Sequence, residues 1–174
     1  GLTLFETAIG SCGIAWRGDL IVGLQLPEGN RDLVRLRRRH PGAEEDTPPT
    51  NVAHVIDDIV ALLAGESRDF ADIELDLDQA PAFNRRVYNV ARAIPAGATA
   101  TYGEVAVRIG EPGAAQAVGR ALGQNPFPIV VPCHRVLAAG GRIGGFSAHG
   151  GVQTKRLILA IESRHAVREP GLFD

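Results

Sequence analysis

Cysteine is scarce in this chain: there are two, Cys12 and Cys133, in 174 residues. At most one disulfide can form, and the pair lacks the spacing of a zinc site. His40, His54, His149 and His165 are scattered with no cysteine nearby, so no metal is expected. A disulfide-built secreted scaffold is excluded, and a reducing, cytoplasmic setting is the expectation. Long apolar runs are missing too. None approaches the ~20 residues that span a bilayer. The first residues show no basic segment leading into an apolar one, so no secretory signal is expected. Repeats and low-complexity tracts are absent as well.

What is present is ordinary in amount and unusual in layout. With 45% hydrophobic and 22% charged residues, the chain reads as a globular protein of one large domain or two small ones. Its net charge of −2 conceals a division. Residues 1–80 carry 7 Lys and Arg against 15 Asp and Glu, a net of −8; residues 81–174 carry 11 against 5, a net of +6. Either the C-terminal half faces a polyanion, or the two halves neutralise one another.

The first 25 residues predict a β-meander: Leu2 to Ala8, then Cys12 to Trp16, then Leu20 to Gln25 after the Arg17-Gly18-Asp19 turn. Asn30 is read as the cap of an arginine-rich helix over 31–40. Asn51 is read as the cap of a second, over 52–64, with Val52, Val55, Ile56, Ile59, Val60 and Leu63 at the 3.6 period. Alternation at Ile73, Leu75 and Leu77 predicts one more strand. Beyond Pro81 the pattern turns helical: Phe83 to Ile94, then a short helix opened by the Thr101/Glu104 capping box, then Ala114 to Gly123. Helix, glycine-containing turn and helix form a helix-turn-helix, or else a plain helical hairpin. A last helix covers about Val152 to Arg164. The fold class is therefore α+β: a small antiparallel sheet with helices over 1–80, and a mainly helical unit over 81–174.

Within the second unit, Ile129-Val130-Val131 reads as a short buried strand that ends in Pro132-Cys133-His134-Arg135-Val136. A neighbouring His and Arg can lower a thiol's pKa and make it a nucleophile. The pentapeptide alone leaves a second reading open, a small thiol that only fills space.

The run from Asn125 to Val136 resembles the active-site signature of the O6-alkylguanine-DNA alkyltransferases (methylated-DNA–protein-cysteine methyltransferases). Thr101-Tyr102-Gly103-Glu104, Ala117-Val118-Gly119, Gly145-Phe146-Ser147 and Thr154-Lys155 through Glu162 follow in that family's order, densely from about 80 to 163. The resemblance implies irreversible, single-turnover transfer of an alkyl group from guanine O6, and from thymine O4, in duplex DNA to Cys133. It implies activation of Cys133 through a water by His134, oriented by Glu162, and a proton from Tyr102 to the departing guanine. Asn125 and Arg135 would support the site, while Pro128, Phe146 and Ser147 would line the substrate pocket. The second helix of the helix-turn-helix would enter the minor groove and flip the nucleotide. It would present Ala114, Ala115, Gln116, Ala117, Gly119 and Arg120.

One position departs from the family. Gln116 stands where an arginine usually fills the space of the flipped nucleotide, with Arg120 one turn further along the helix. Weaker DNA affinity or less efficient flipping is the expected consequence. The resemblance requires no cofactor and implies duplex DNA as partner, no membrane, and a monomer with cooperative binding left open. Residues 1–80 would be mostly structural. A binder of alkylated DNA that does not repair it is the alternative, and a cysteine hydrolase using Cys133 and His134 a more distant one.

Overall fold

The computed structural model describes residues 1–142 and 151–168, with side chains as far as Arg164. Strands β1 (Leu2–Thr7), β2 (Gly10–Arg17) and β3 (Leu20–Gln25) form an antiparallel meander in the order β1-β2-β3. Gly18, at φ +59°, takes the first of the two turn positions between β2 and β3. A positive φ there matches the twist of the flanking strands, and glycine adopts it without strain. Helix α1 (Asp32–Arg39) buries Leu36 against Leu2 and Ala15. Helix α2 (Thr50–Leu63) buries Val52, Val55, Ile59 and Leu62 at helical spacing.

Two helix starts differ from the sequence reading. Neither Asn30 nor Asn51 caps a helix: the flanking residues are Arg31 and Pro49, without a side-chain cap bond. Asp32 instead accepts the Glu28 N–H at 2.7 Å, and Asn51 donates to the Asp19 carbonyl at 2.6 Å. The strand expected at Ile73–Leu77 is also absent as a strand; only Leu75 makes a single parallel bridge, to Ile21. The segment's groups find other partners: Arg92 donates to the Ile73 carbonyl at 2.7 Å, and the Leu77 N–H turns back onto the Leu75 carbonyl at 3.0 Å.

The second half adds α3 (Ala82–Arg92), β4 (Ala100–Thr101), α4 (Tyr102–Arg108), α5 (Ala115–Gly123), β5 (Val136–Leu137) and α6 (Gly151–Arg168). Strands β4 and β5 pair in parallel. The capping box is present, with Glu104 N–H on Thr101 Oγ1 at 3.0 Å and Thr101 N–H on Glu104 Oε1 at 3.3 Å. Helix α4 ends in a Schellman turn: Gly110, at φ +80°, donates to the Val107 carbonyl, and Glu111 donates to the Ala106 carbonyl. Arg86 of α3 pins this turn through Glu111 and the Ile109 carbonyl.

One apolar core crosses residue 80. It joins Ile14, Trp16 and Ile21 of the sheet to Val52 and Ile59, and onward to Val87, Tyr88, Val105, Val118, Phe127 and Ile158. Among the described residues no ion pair crosses with it. Arg17–Asp76, Arg39–Glu28, Arg37–Glu45, Arg68–Asp58, Arg86–Glu111 and Arg135–Glu162 each join residues of the same half. Apolar burial joins the halves, with Arg92 on the Phe70 and Ile73 carbonyls and the Leu24 N–H on the Pro126 carbonyl adding hydrogen bonds across them, while Arg108, Arg120, Arg142, Arg156 and Arg164 are exposed.

Candidate active site

The segment that delivers Cys133 is a compact turn and not the strand read from its apolar residues. Pro126, Pro128 and Pro132 have no N–H to give a ladder. Asn125 supplies the missing bonds: its amide donates to the Val131 carbonyl at 2.8 Å, and its oxygen accepts the Phe127 N–H at 2.9 Å. The Val131 N–H closes back on the Phe127 carbonyl at 2.8 Å. Ile129 sits at φ +77°, the one non-glycine residue with positive φ among those described. For a β-branched side chain that conformation is strained, and the fold around it must hold it there. Pro132, at φ −81° and ψ 67°, makes an inverse γ-turn in which Cys133 N–H reaches the Val131 carbonyl at 2.8 Å. Cys133–Arg135 then form one turn of 3₁₀ helix. Successive residues of such a turn point about 120° apart, so Cys133 and His134 leave the backbone in different directions.

His134 and Glu162 are each 1% exposed, and His134 Nε2 lies 2.7 Å from Glu162 Oε1. Arg135 brackets the same carboxylate, with Nε at 3.0 and 3.2 Å and an Nη2 contact, and its Nη1 donates to the Ile94 carbonyl at 2.6 Å. Burial alone would raise the Glu162 pKa. The hydrogen bonds and charges of His134 and Arg135 overcome it and hold the group down at about 2. Burial lowers the His134 pKa, Glu162 opposes this, and Arg135 and Lys155 add to it. At neutral pH the carboxylate is therefore charged and the imidazole neutral. A carboxylate only accepts, so Nε2 carries the hydrogen and Nδ1 presents a lone pair.

The thiol itself differs from the sequence expectation. Burial raises the Cys133 pKa; the groups that pull it back are the Asn125 side chain and the Lys155 charge, with backbone N–H groups behind them. His134 and Arg135, expected to do this, are committed to Glu162. Cys133 thus rests as a thiol that needs a base. Cys12, pushed up to about 12 by burial in β2, is inert. Tyr102 opens α4, is half-buried, and has its pKa raised by burial and by Cys133, so its hydroxyl stays protonated.

The family model described as the 6-O-methylguanine DNA methyltransferase DNA binding domain matches residues 82–164. A methylated-DNA–protein-cysteine methyltransferase of Mycolicibacterium paratuberculosis is 48% identical over 169 residues, covering 97% of this chain and 96% of the relative. The crystal structure of Mycobacterium tuberculosis OGT in complex with DNA superposes with a TM-score of 0.78 at 37% identity, covering 99% of both chains. An O6-methylguanine-DNA methyltransferase from Pyrococcus kodakaraensis gives 0.72 at 26% identity, covering 93% of this chain and 99% of that one. The chain belongs to the methylated-DNA–protein-cysteine methyltransferase family.

In this family member Val118, Ala121 and Leu122 bury one side of α5, while Gln116 and Arg120 are exposed and Ala114, Ala115, Ala117 and Gly119 are half-buried. A Cβ on Gly119 would meet nothing within 4 Å, so no packing contact requires glycine there. Pro128, Asn125, Leu122 and Cys133 line a cavity of ≈ 850 Å³. Phe127 turns instead into the core. Phe146 and Ser147 lie outside the described residues.

Two residues were given no role by the sequence reading. Lys155 is 1% exposed, donates to the Val136 carbonyl at 2.7 Å, and holds its Nζ 5.8 Å from the centre of the Tyr102 ring. Its spacing to Ile158 and Glu162, three and seven residues on, marks one helix face and could have revealed it. Tyr88, fully buried, donates to the Ala121 carbonyl at 2.7 Å and locks the end of α5 to α3. Among the described residues no group of His, Cys, Asp and Glu could hold a metal ion, and no helix is long and apolar enough to cross a membrane.

Proposed function

We propose that this protein repairs duplex DNA by moving an alkyl group, methyl above all, from guanine O6 or thymine O4 onto Cys133, once per molecule. The observation that carries this reading is the buried His134–Glu162–Arg135 cluster, which presents a neutral imidazole with a free lone pair next in sequence to a cavity-lining thiol. The thiol proton passes through a water to His134 Nδ1. Sγ attacks the alkyl carbon, the carbon–O6 bond breaks, and its electron pair stays on the base. Tyr102 gives the base a proton, and the proton held on His134 restores the phenol through solvent. The product is a thioether that nothing in the site can cleave, so the protein acts as a stoichiometric reagent. The atoms balance without a cofactor or metal.

Helix α5 brings the DNA, with Gln116 and Arg120 at its exposed surface and the small residues allowing close approach. Flipping moves the damaged base out of the stack. Residues 81–174 carry binding and transfer, and residues 1–80, net −8, serve mainly to support them. Both cysteines are free, in keeping with a reducing, cytoplasmic setting, where the protein acts as a monomer.

The test is the intact mass of the protein after incubation with a duplex containing O6-methylguanine, followed by peptide mapping. One added methyl on Cys133 supports the proposal. Tight binding without an adduct supports a non-repairing binder, and continued turnover of a thiol-reactive ester supports a hydrolase.

A further inference from the structure

Helix α5 and the turn that carries Cys133 must keep one fixed relation, because a misplacement of about 1 Å in the reacting geometry can cost a hundredfold in rate. Both are tied to the same two residues of α3. Asn84 and Tyr88, four apart, share one face of that helix, and both are buried. The Ala121 carbonyl of α5 can only accept, so the Tyr88 hydroxyl donates to it, at 2.7 Å. The same hydroxyl takes an Asn84 N–H at 3.5 Å, and the Asn84 amide also donates to Gln124 Oε1 at 3.1 Å. Gln124 caps the end of α5. The next residue, Asn125, makes the two bonds that shape the Cys133 turn.

Space does not explain the hydroxyl. Phenylalanine would fill the same place in the core that holds Val87, Ala91 and Val118. Burial raises the Tyr88 pKa, so the hydroxyl keeps its proton at neutral pH and stays a donor. Nor does α5 need this bond in order to close, since the Ala121 carbonyl also takes the Gln124 N–H at 3.2 Å. The bond fixes where the helix lies rather than whether it forms. The other end of α5 is held from α3 as well, through Arg86 on Glu111, whose carbonyl takes the Ala114 N–H at 2.9 Å.

We propose that Tyr88 is a positioning residue for nucleotide flipping: through Ala121 and Asn84, its hydroxyl holds the groove-facing helix and the Cys133 turn in register. The inference rests on the transfer to Cys133 proposed above and adds no chemical step. Tyr88 acts before the reaction, on how well α5 delivers a base taken out of the duplex stack.

Single-turnover methyl transfer from O6-methylguanine, placed in a duplex and in a single strand of the same sequence, tests this. In the single strand the base is not held by a pair, so extrusion costs less. The proteins compared are the unsubstituted chain, Tyr88→Phe and Gln124→Ala. Tyr88→Phe should slow duplex transfer by about five- to tenfold, the worth of one neutral hydrogen bond, and change single-strand transfer by less than about twofold. Gln124→Ala, at an exposed position, should slow duplex transfer selectively by about twofold or more, and it decides by the same criterion should Tyr88→Phe fail to fold. Duplex transfer left unchanged, or both substrates slowed equally, overturns the inference; equal slowing would mark a role in the thiol or in the fold as a whole. Absence of transfer from either substrate in the unsubstituted chain overturns the underlying reaction instead.

Discussion

Glu162→Gln removes the charge on which the buried cluster depends while keeping the size of the side chain. In the folded protein the carboxyl titrates at about 2 against an ordinary 4.5, a depression worth about 3 kcal/mol at 1.36 kcal/mol per unit. Because the folded value is the lower one, this stability is fully present above pH ~4.5. It is lost as pH falls toward ~2, where the folded state also takes the proton. The substitution leaves the buried Arg135 guanidinium with neutral acceptors, the Ile94 carbonyl and the glutamine amide oxygen, in place of a carboxylate, and losing one partner of a buried pair costs about 3–5 kcal/mol. The two magnitudes agree, and both are large beside a total stability of about 5–15 kcal/mol. Urea unfolding of both proteins at pH 7 and at pH 2.5 measures the effect. The variant should be less stable at pH 7, and the gap should narrow by most of about 3 kcal/mol on acidification. A gap equal at both pH values would refute an ionised, cluster-held Glu162. Where the variant remains folded, transfer should also slow by about 10²–10⁴, since Gln no longer enforces the Nε2–H tautomer of His134.

Three further outcomes follow from the same geometry. With Cys133 raised by burial and His134 lowered, the single-turnover rate should stay flat between pH 7 and 9, read by quench-flow; a tenfold rise per pH unit would indicate direct attack by pre-formed thiolate. Gln116→Arg should tighten duplex binding and speed repair, measured by fluorescence anisotropy and single-turnover kinetics; unchanged values would remove Gln116 as the explanation of weak flipping. Asn125→Ala leaves the Phe127 N–H unpaired and the Val131 carbonyl with the Cys133 N–H alone, and should lower stability by roughly 1–3 kcal/mol in thermal melting, while a loss under about 0.5 kcal/mol would show that the turn does not depend on it.

Elements that a local pattern specifies were legible in the sequence. The meander, the α2 stripe at Val52, Val55 and Ile59, and the Thr101/Glu104 capping box all follow from neighbours within one or two turns of chain. Segments whose hydrogen bonds go to distant partners were not. Ile73–Leu77 alternates like a strand, but Arg92 takes the Ile73 carbonyl and the Leu77 N–H turns back onto the Leu75 carbonyl. Ile129–Val131 looked like a strand because it is apolar, but prolines and Asn125 close it into a turn.

The candidate site divides in the same way. The sequence by itself determined which residues exist for chemistry: one thiol followed by His134 and Arg135, a tyrosine at a helix start, a glutamate 28 positions after the histidine, and a basic half to meet DNA. Tertiary structure alone decided who acts on whom. His134 and Arg135, adjacent to the thiol in sequence, turn away to Glu162, while Asn125 and Lys155, eight residues before it and 22 after, moderate its charge. The physical reason is that charge and desolvation depend on separation and burial in space, which a 3₁₀ turn and two packed helices set and sequence spacing does not.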